Sequence, residues 1–318
     1  MRGKGDRHVS GEAPFAPFRQ NVPVPFSARA TGEAKQKIRV VRGTGFSEGQ
    51  AREVLAAHDR ALASAEGVLK NGRRTAVTRV AWGEQSATVG SPTVATAGQA
   101  SRGTLLCVKE YRPTGLLDRL RLRLWWPRAR RAWSGAARLA ARGVAIPELL
   151  ALLERGATAY LVARFIEGAV PLNRLVLERF GGAGSREELI AKRSMMRHLG
   201  HWLRGVHDRG VYHDDWSAKN ILALQSGGEW AFYFLDFESV APLKPLTYRR
   251  RVKNLSQIGD APAGVTRTDK MRFLLAYAKG DKALTRGRFP RDVLAATRRR
   301  QEARERAQAP SRSRKTSG

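Results

Sequence analysis

Three oxygen-bearing side chains stand at spacings suited to moving a phosphoryl group. Residues 207–238 read HDRGVYHDDWSAKNILALQSGGEWAFYFLDFE. Here Asp215 comes two residues after His213, Asn220 five residues after Asp215, and Asp236 ends an apolar run that follows a Gly pair. Phosphoryl transfer needs a carboxylate near the attacking hydroxyl, and Asp215 is the candidate. It also needs Mg2+ held against the phosphates by hard oxygen donors, which Asn220 and Asp236 can supply as an amide carbonyl and a carboxylate. Lys219 either neutralises the transferring group or is a solvated loop charge. Upstream, Lys109 in LLCVKEY is the candidate to hold nucleotide phosphates. Taken singly, each residue has an ordinary use: Asp215 in a turn, Asn220 as a cap, Asp236 and Lys109 as strand-end surface groups. The set, in this order, carries the inference.

The elements that must position these groups can be read from periodicity and punctuation. Residues 185–208 place Met196, Leu199, Leu203 and Val206 at helical spacing, and Ser185 with Glu188 matches a capping box. Segments 220–224 and 230–237 flank QSGGE and predict a hairpin. Residues 246–279 are predicted helical. Nearer the N-terminus, 47–63 predicts a helix capped by Ser47, 73–82 and 104–111 two strands, and 83–103 a Gly/Ser/Thr/Ala-rich loop. Residues 130–142 suit a helix stopped by Gly143 and Pro147, and 148–154 and 159–168 suit two apolar strands. Elements in this order give an α+β fold in two lobes, and the likeness of the Asp215–Asn220–Asp236 layout to a kinase catalytic loop implies a two-lobed protein-kinase-like fold. It has a β-rich small lobe at 43–167, a helical large lobe at 168–295, and flexible basic tails at 1–42 and from 296 onward.

His-x-Asp-x4-Asn, followed by apolar-apolar-Asp-Phe, is the layout of a kinase-like catalytic loop and metal-binding Asp. Two departures stand out. RRAWSGAARL carries Arg130, Arg131 and Ala132 where a kinase-like helix offers an acid to the strand Lys, and Glu238 takes the place of the usual Gly after Asp-Phe. Glu238 is either an added metal ligand or a solvated charge. Asp214 replaces the Arg that receives an activation-loop phosphate in regulated protein kinases, so that switch is not expected. His213 is expected to orient the loop backbone, His207 and Trp202 to pack at the helix end, and Cys107 to be a small buried hydrophobe.

In LLCVKEYR, AYLVARFIEGAVPL, LRGVHDRGVYHDDWSAKNIL and FLDFE the chain resembles the Kdo/WaaP type of lipopolysaccharide kinase, over roughly residues 65–280. The resemblance implies phosphorylation of a heptose or Kdo hydroxyl of the lipopolysaccharide inner core, with ATP and Mg2+, at the cytoplasmic face of the inner membrane. It implies Asp215 as base, Asn220 and Asp236 as metal ligands, and Lys109 on phosphate. It also implies that FIEG, with Phe165, Ile166 and Glu167, is the hinge whose backbone meets adenine.

Composition bounds the alternatives. Lys and Arg number 58 against 28 Asp and Glu, a net charge of +30. Such an excess concerns partners rather than fold. Nine arginines lie in 112–142, and twelve bases face four acids in 281–318. Residues 116–126 (LLDRLRLRLWW) read either as a membrane-surface segment or as a basic insertion around the small lobe. An anionic membrane surface and a glycolipid or sugar acceptor are the expected partners. Nucleic acid is disfavoured, because no RNA-binding signature with interleaved aromatics is present. A single Cys excludes a disulfide framework and a cysteine zinc site. Without a secretory h-region or an apolar span of ~18 residues, the expected place is the cytoplasm. A kinase of small molecules or protein hydroxyls, and a catalytically weak module binding membrane or RNA through charge, are the competing readings.

Overall fold

The computed structural model describes residues 37–43, 46–83, 104–113, 128–182, 184–240, 246–260 and 264–308. The predicted loop at 83–103 beyond its first residue, the basic stretch at 116–126, most of the N-terminal tail and the last ten residues lie outside the described residues.

The small lobe is a six-stranded antiparallel sheet in the order β1-β5-β6-β4-β3-β2. Its strands are β1 (Ile38–Arg42), β2 (Val68–Asn71), β3 (Thr75–Trp82), β4 (Thr104–Tyr111), β5 (Leu149–Arg155) and β6 (Thr158–Arg164). Helix α1 (Glu48–Ser64) covers one face, and α2 (Arg128–Ala140) packs against β5 and β6. Ser47 caps α1 in a capping box closed by Gln50. Period-two alternation sorts the side chains of β4. Leu106 and Val108 join the core under α1, with Val54, Leu55 and Val162. Tyr111 turns to the opposite face and joins Ala132, Ala136 and Leu139 of α2. Lys109 shares that second face by alternation, which puts its ammonium on the side of the large lobe.

Two boundaries differ from expectation. Residues 38–42 are an edge strand paired antiparallel with β5, rather than tail. Ile38 and Val40 pack on the α1 core, and Arg39 pairs with Glu154. Short strands bounded by charge are how sheets blunt an edge, and that composition hides them from a pattern search. At the other end α8 (Phe289–Gln308) runs well past residue 296. Its continuation, RRRQEARERAQ, has no apolar stripe but is made of strong helix formers, and Arg304 reaches Asp260 at 3.1 Å.

The large lobe holds β7 (Val170–Pro171), α3 (Leu172–Phe180), α4 (Arg186–Asp208), β8 (Ile221–Ser226), β9 (Glu229–Phe234), α5 (Tyr248–Gly259), α6 (Arg267–Ala278) and α7 (Lys282–Arg286) before α8. Strands β7, β8 and β9 form a second small antiparallel sheet. Helix α4 has the predicted Ser185–Glu188 capping box. It runs tightly along α6: a Cβ on Gly200 would lie 2.5 Å from the Phe273 carbonyl oxygen. Glycine is what permits that approach.

Candidate active site

The predicted catalytic residues converge because a helix end and a hairpin share one loop. Helix α4 stops at Gly210, whose φ of +71° suits glycine. Val211, Tyr212 and His213 then dive into the core. The β8–β9 hairpin sets Ile221 opposite Phe234, and the Leu235 N–H donates to the Asn220 carbonyl at 2.9 Å. The same end of the hairpin therefore carries Asn220 and Asp236.

His213 ties the two halves together. Its Nδ1 accepts the Asp215 backbone N–H at 3.0 Å, and its Nε2 lies 2.9 Å from the Asp236 carbonyl oxygen. An imidazole that accepts at Nδ1 and faces a carbonyl at Nε2 must carry its proton on Nε2. That is the neutral form. Burial pushes the ring's pKa below the ordinary histidine range, and the Asp236 and Asp215 charges offset only part of that push. His213 thus orients backbone, as expected.

The Asn220 amide nitrogen donates toward Asp215, at 3.3 Å to the carbonyl oxygen and 3.5 Å to Oδ2. The amide oxygen is then the donor atom left for a cation. Asp236 Oδ1 accepts the Glu238 N–H at 3.3 Å. Among the described residues no group of three His, Cys, Asp or Glu side chains is arranged to hold a metal ion. One carboxylate and one amide oxygen are instead a set that suits Mg2+, which takes few protein ligands and completes its shell with water and substrate phosphates.

Helix α5 clamps the loop from behind, and sequence reasoning assigned its residues no role. The Asn254 amide donates to the His213 carbonyl at 2.8 Å, and the Gln257 amide to the Asp214 carbonyl at 2.6 Å. Gln257 Oε1 accepts the Trp216 N–H at 3.3 Å and the Asn254 amide at 3.2 Å. Asn254 and Gln257 are buried, and Lys253 pairs with Asp214 at 3.3 Å. The available signal was polar residues within NLSQI, where an amphipathic helix should bury apolar ones.

Lys109 meets an acid that was not assigned to it. Its Nζ lies 3.2 Å from Glu238 Oε1 and 4.9 Å from the centre of the Tyr111 ring. Burial works against the ammonium, but Tyr111 and Glu238 outweigh it and the lysine pKa is raised. Glu238, read from sequence as either a metal ligand or a solvated group, is mostly buried and bound by cations. Lys219 is exposed in the turn before β8 and forms no hydrogen bond or ion pair among the described residues. Phe165, Ile166 and Glu167 follow β6 and lead into the large lobe. The Phe165 N–H donates to the Leu105 carbonyl at 2.9 Å, and the Ile166 carbonyl accepts from Ala169 at 3.3 Å. Cys107 is half-buried on β4 rather than fully buried, and desolvation pushes its thiol up to about 11. His207, buried against Trp216 and Tyr277, is a packing residue as expected.

The sequence matches the lipopolysaccharide kinase (Kdo/WaaP) family over residues 80–277, more than half of the chain. The chain belongs to this family. It is a phosphotransferase of the lipopolysaccharide kinase type. No curated protein matches it. Among solved structures it is similar to WaaP in complex with acyl carrier protein, with 20% identity and a TM-score of 0.50, covering 74% of this chain and 87% of that one. At that identity the likeness speaks for the kinase-like fold. Among the described residues no helix is long and apolar enough to cross a membrane.

Proposed function

We propose that this lipopolysaccharide kinase transfers the γ-phosphate of ATP to a sugar hydroxyl of the inner core, on heptose or Kdo. The observation that carries the reading is that one buried histidine joins Asp215 to Asp236, with Asn220 bonded to Asp215 and Lys109 paired to the segment that bears Asp236. Asp215 accepts the proton of the attacking hydroxyl. Asn220 and Asp236 would hold Mg2+, which supplies neutralisation of charge building on the phosphates. Lys109 holds the nucleotide phosphates from the small lobe. At the hinge the Phe165 N–H and Ile166 carbonyl are engaged internally, which leaves the Phe165 carbonyl, the Ile166 N–H and the Glu167 backbone for adenine. Lys219, exposed in the catalytic turn, would neutralise charge on the transferring phosphoryl.

The test is phosphate transfer from ATP to isolated core oligosaccharide. Asp215→Ala should lower kcat by roughly 10²–10⁴ with the fold intact. Undiminished transfer would sink the assignment.

The basic balance supports attachment to the anionic face of a membrane, where the glycolipid acceptor is built. Arg298, Arg299 and Arg300 are exposed on α8. Cations near such a surface contribute about 1 kcal/mol each. Sedimentation with anionic vesicles, and much weaker sedimentation with neutral ones, is the expected result. Equal binding to both would remove the membrane from the reading.

A further inference from the structure

Three features surround Lys109 on the side where a kinase-like helix would present its acid. The helix in that place, α2, has the sequence RARRAWSGAARLA and carries no acid at all. Glu238, from the segment that bears Asp236, reaches Lys109 instead. Its Oε1 meets Lys109 Nζ at 3.2 Å, and its Oε2 accepts from Arg128 Nε at 2.8 Å. Arg128 Nη2 also approaches Oε1 at 3.4 Å. Both cations lie over the Tyr111 ring, the Lys109 nitrogen at 4.9 Å and the Arg128 guanidinium at 5.6 Å. Both oxygens of Glu238 are therefore taken by protein cations.

Helix α2 serves that segment as a backing. A Cβ on Gly135 would stand 1.9 Å from the Phe237 carbonyl oxygen, so the helix backbone presses directly on the residue before Glu238. One turn further on, Arg138 donates to the Val240 carbonyl at 3.2 Å. With Arg128 on Glu238, the helix meets residues 237–240 at three points along its length.

We propose that Glu238 is the positioning residue for Lys109, so that the segment carrying the candidate metal ligand Asp236 also aims the phosphate-binding lysine. The inference rests on the reading of Lys109 and Asp236 as the nucleotide side of a kinase site. Where the acid sits on a mobile helix, moving that helix breaks the lysine pair and switches the enzyme off. Here the pair and the metal-side carboxylate share one stretch of chain. They assemble together, and α2 steadies them through small residues and arginines. The absence of an acid on α2 is then a relocation of the contact and not a loss of it.

The test compares Glu238→Gln, Glu238→Asp and Arg128→Ala in the full chain. Glu238→Gln should raise KM for ATP about tenfold, the worth of a charge-assisted contact, and weaken calorimetric ATP binding by a similar factor. Glu238→Asp should recover part of that loss. Arg128→Ala, a change at a half-exposed side chain, should shift KM in the same direction by less, and it reports on the network if Glu238→Gln folds poorly. The Mg2+ concentration for half-maximal rate should stay unchanged. A raised Mg2+ requirement with ATP affinity intact would make Glu238 a metal ligand and overturn the proposal. A lowered Tm with KM unaltered would make it a lobe-packing residue, with the same consequence. Lys109→Met separates the two levels. If it retains ATP affinity and transfer, the kinase-site reading itself fails. If it loses them while Glu238→Gln is silent, only the present proposal fails.

Discussion

The two sides of the cleft hold their functional groups by different physics. On the large-lobe side, Asp215 is placed by neutral, buried hydrogen bonds: His213, Asn254 and Gln257 bind the backbone of residues 213–216 and leave the carboxylate to its chemistry. On the small-lobe side, Lys109 is placed by charge, through Glu238 and Arg128, at the edge of solvent. Neutral bonds in a low-dielectric core are rigid and costly to leave half-made. Ion pairs at a cleft are weaker, and salt screens them. The difference matches the tasks. A base must sit at a set distance from a hydroxyl, whereas a lysine must let a charged nucleotide enter and leave.

Removing a neutral clamp should therefore be the more damaging change. Asn254→Ala takes away the donor to the His213 carbonyl and leaves that buried acceptor unpaired, while Gln257 Oε1 keeps only the Trp216 N–H. An unpaired buried group costs about 1–3 kcal/mol, so a loss of roughly 2 kcal/mol in denaturant unfolding is expected, with a fall in kcat and little change in KM for ATP. Glu238→Gln should show the reverse, a KM effect on a nearly unchanged fold. If Asn254→Ala kept full stability and kcat, the catalytic loop would not depend on its neutral clamp, and the contrast would collapse.

The same contrast explains what could be read from sequence. Asp215, Asn220 and Asp236 lie within one stretch of chain, so spacing alone exposes them, and the capping boxes at Ser47 and Ser185 are equally local. Glu238 as the partner of Lys109 was not legible, because the two are 129 residues apart and meet only when the lobes form. A helix-borne partner would stand on α2, and the small residues of that helix carry no sign of what they press against. Asn254 and Gln257 were hidden differently. A helix that buries amides to hold another loop breaks the apolar pattern without announcing which backbone it serves. Strand β1 escaped because a five-residue edge strand bounded by arginine has the composition of a tail.

Acid should distinguish the two sides by a smaller but measurable amount. Burial, then the Arg251 charge, pushes His207 down to about 3 in the folded protein. In the unfolded chain its ordinary value is about 6.5. Below pH 6.5 the unfolded state binds a proton that the folded state refuses, so stability is full above that pH and falls as the pH drops toward 3. The slope approaches about 1.4 kcal/mol per pH unit, giving roughly 2 kcal/mol lost between pH 6.5 and 5. Glu238 behaves otherwise. Burial would raise its pKa, but Lys109 and Arg128 hold it below the ordinary carboxylate range, so it stays charged and paired throughout that window. Mild acid should therefore loosen the large lobe while the Lys109 contact survives. Urea midpoints measured from pH 7.5 to 5 should fall for the natural chain and fall less steeply for His207→Gln, with His213, also depressed by burial, keeping its own share of the slope. An equal slope in both proteins would show that His207 takes up its proton without unfolding, and the neutral interior of the large lobe would be softer than its hydrogen bonds imply.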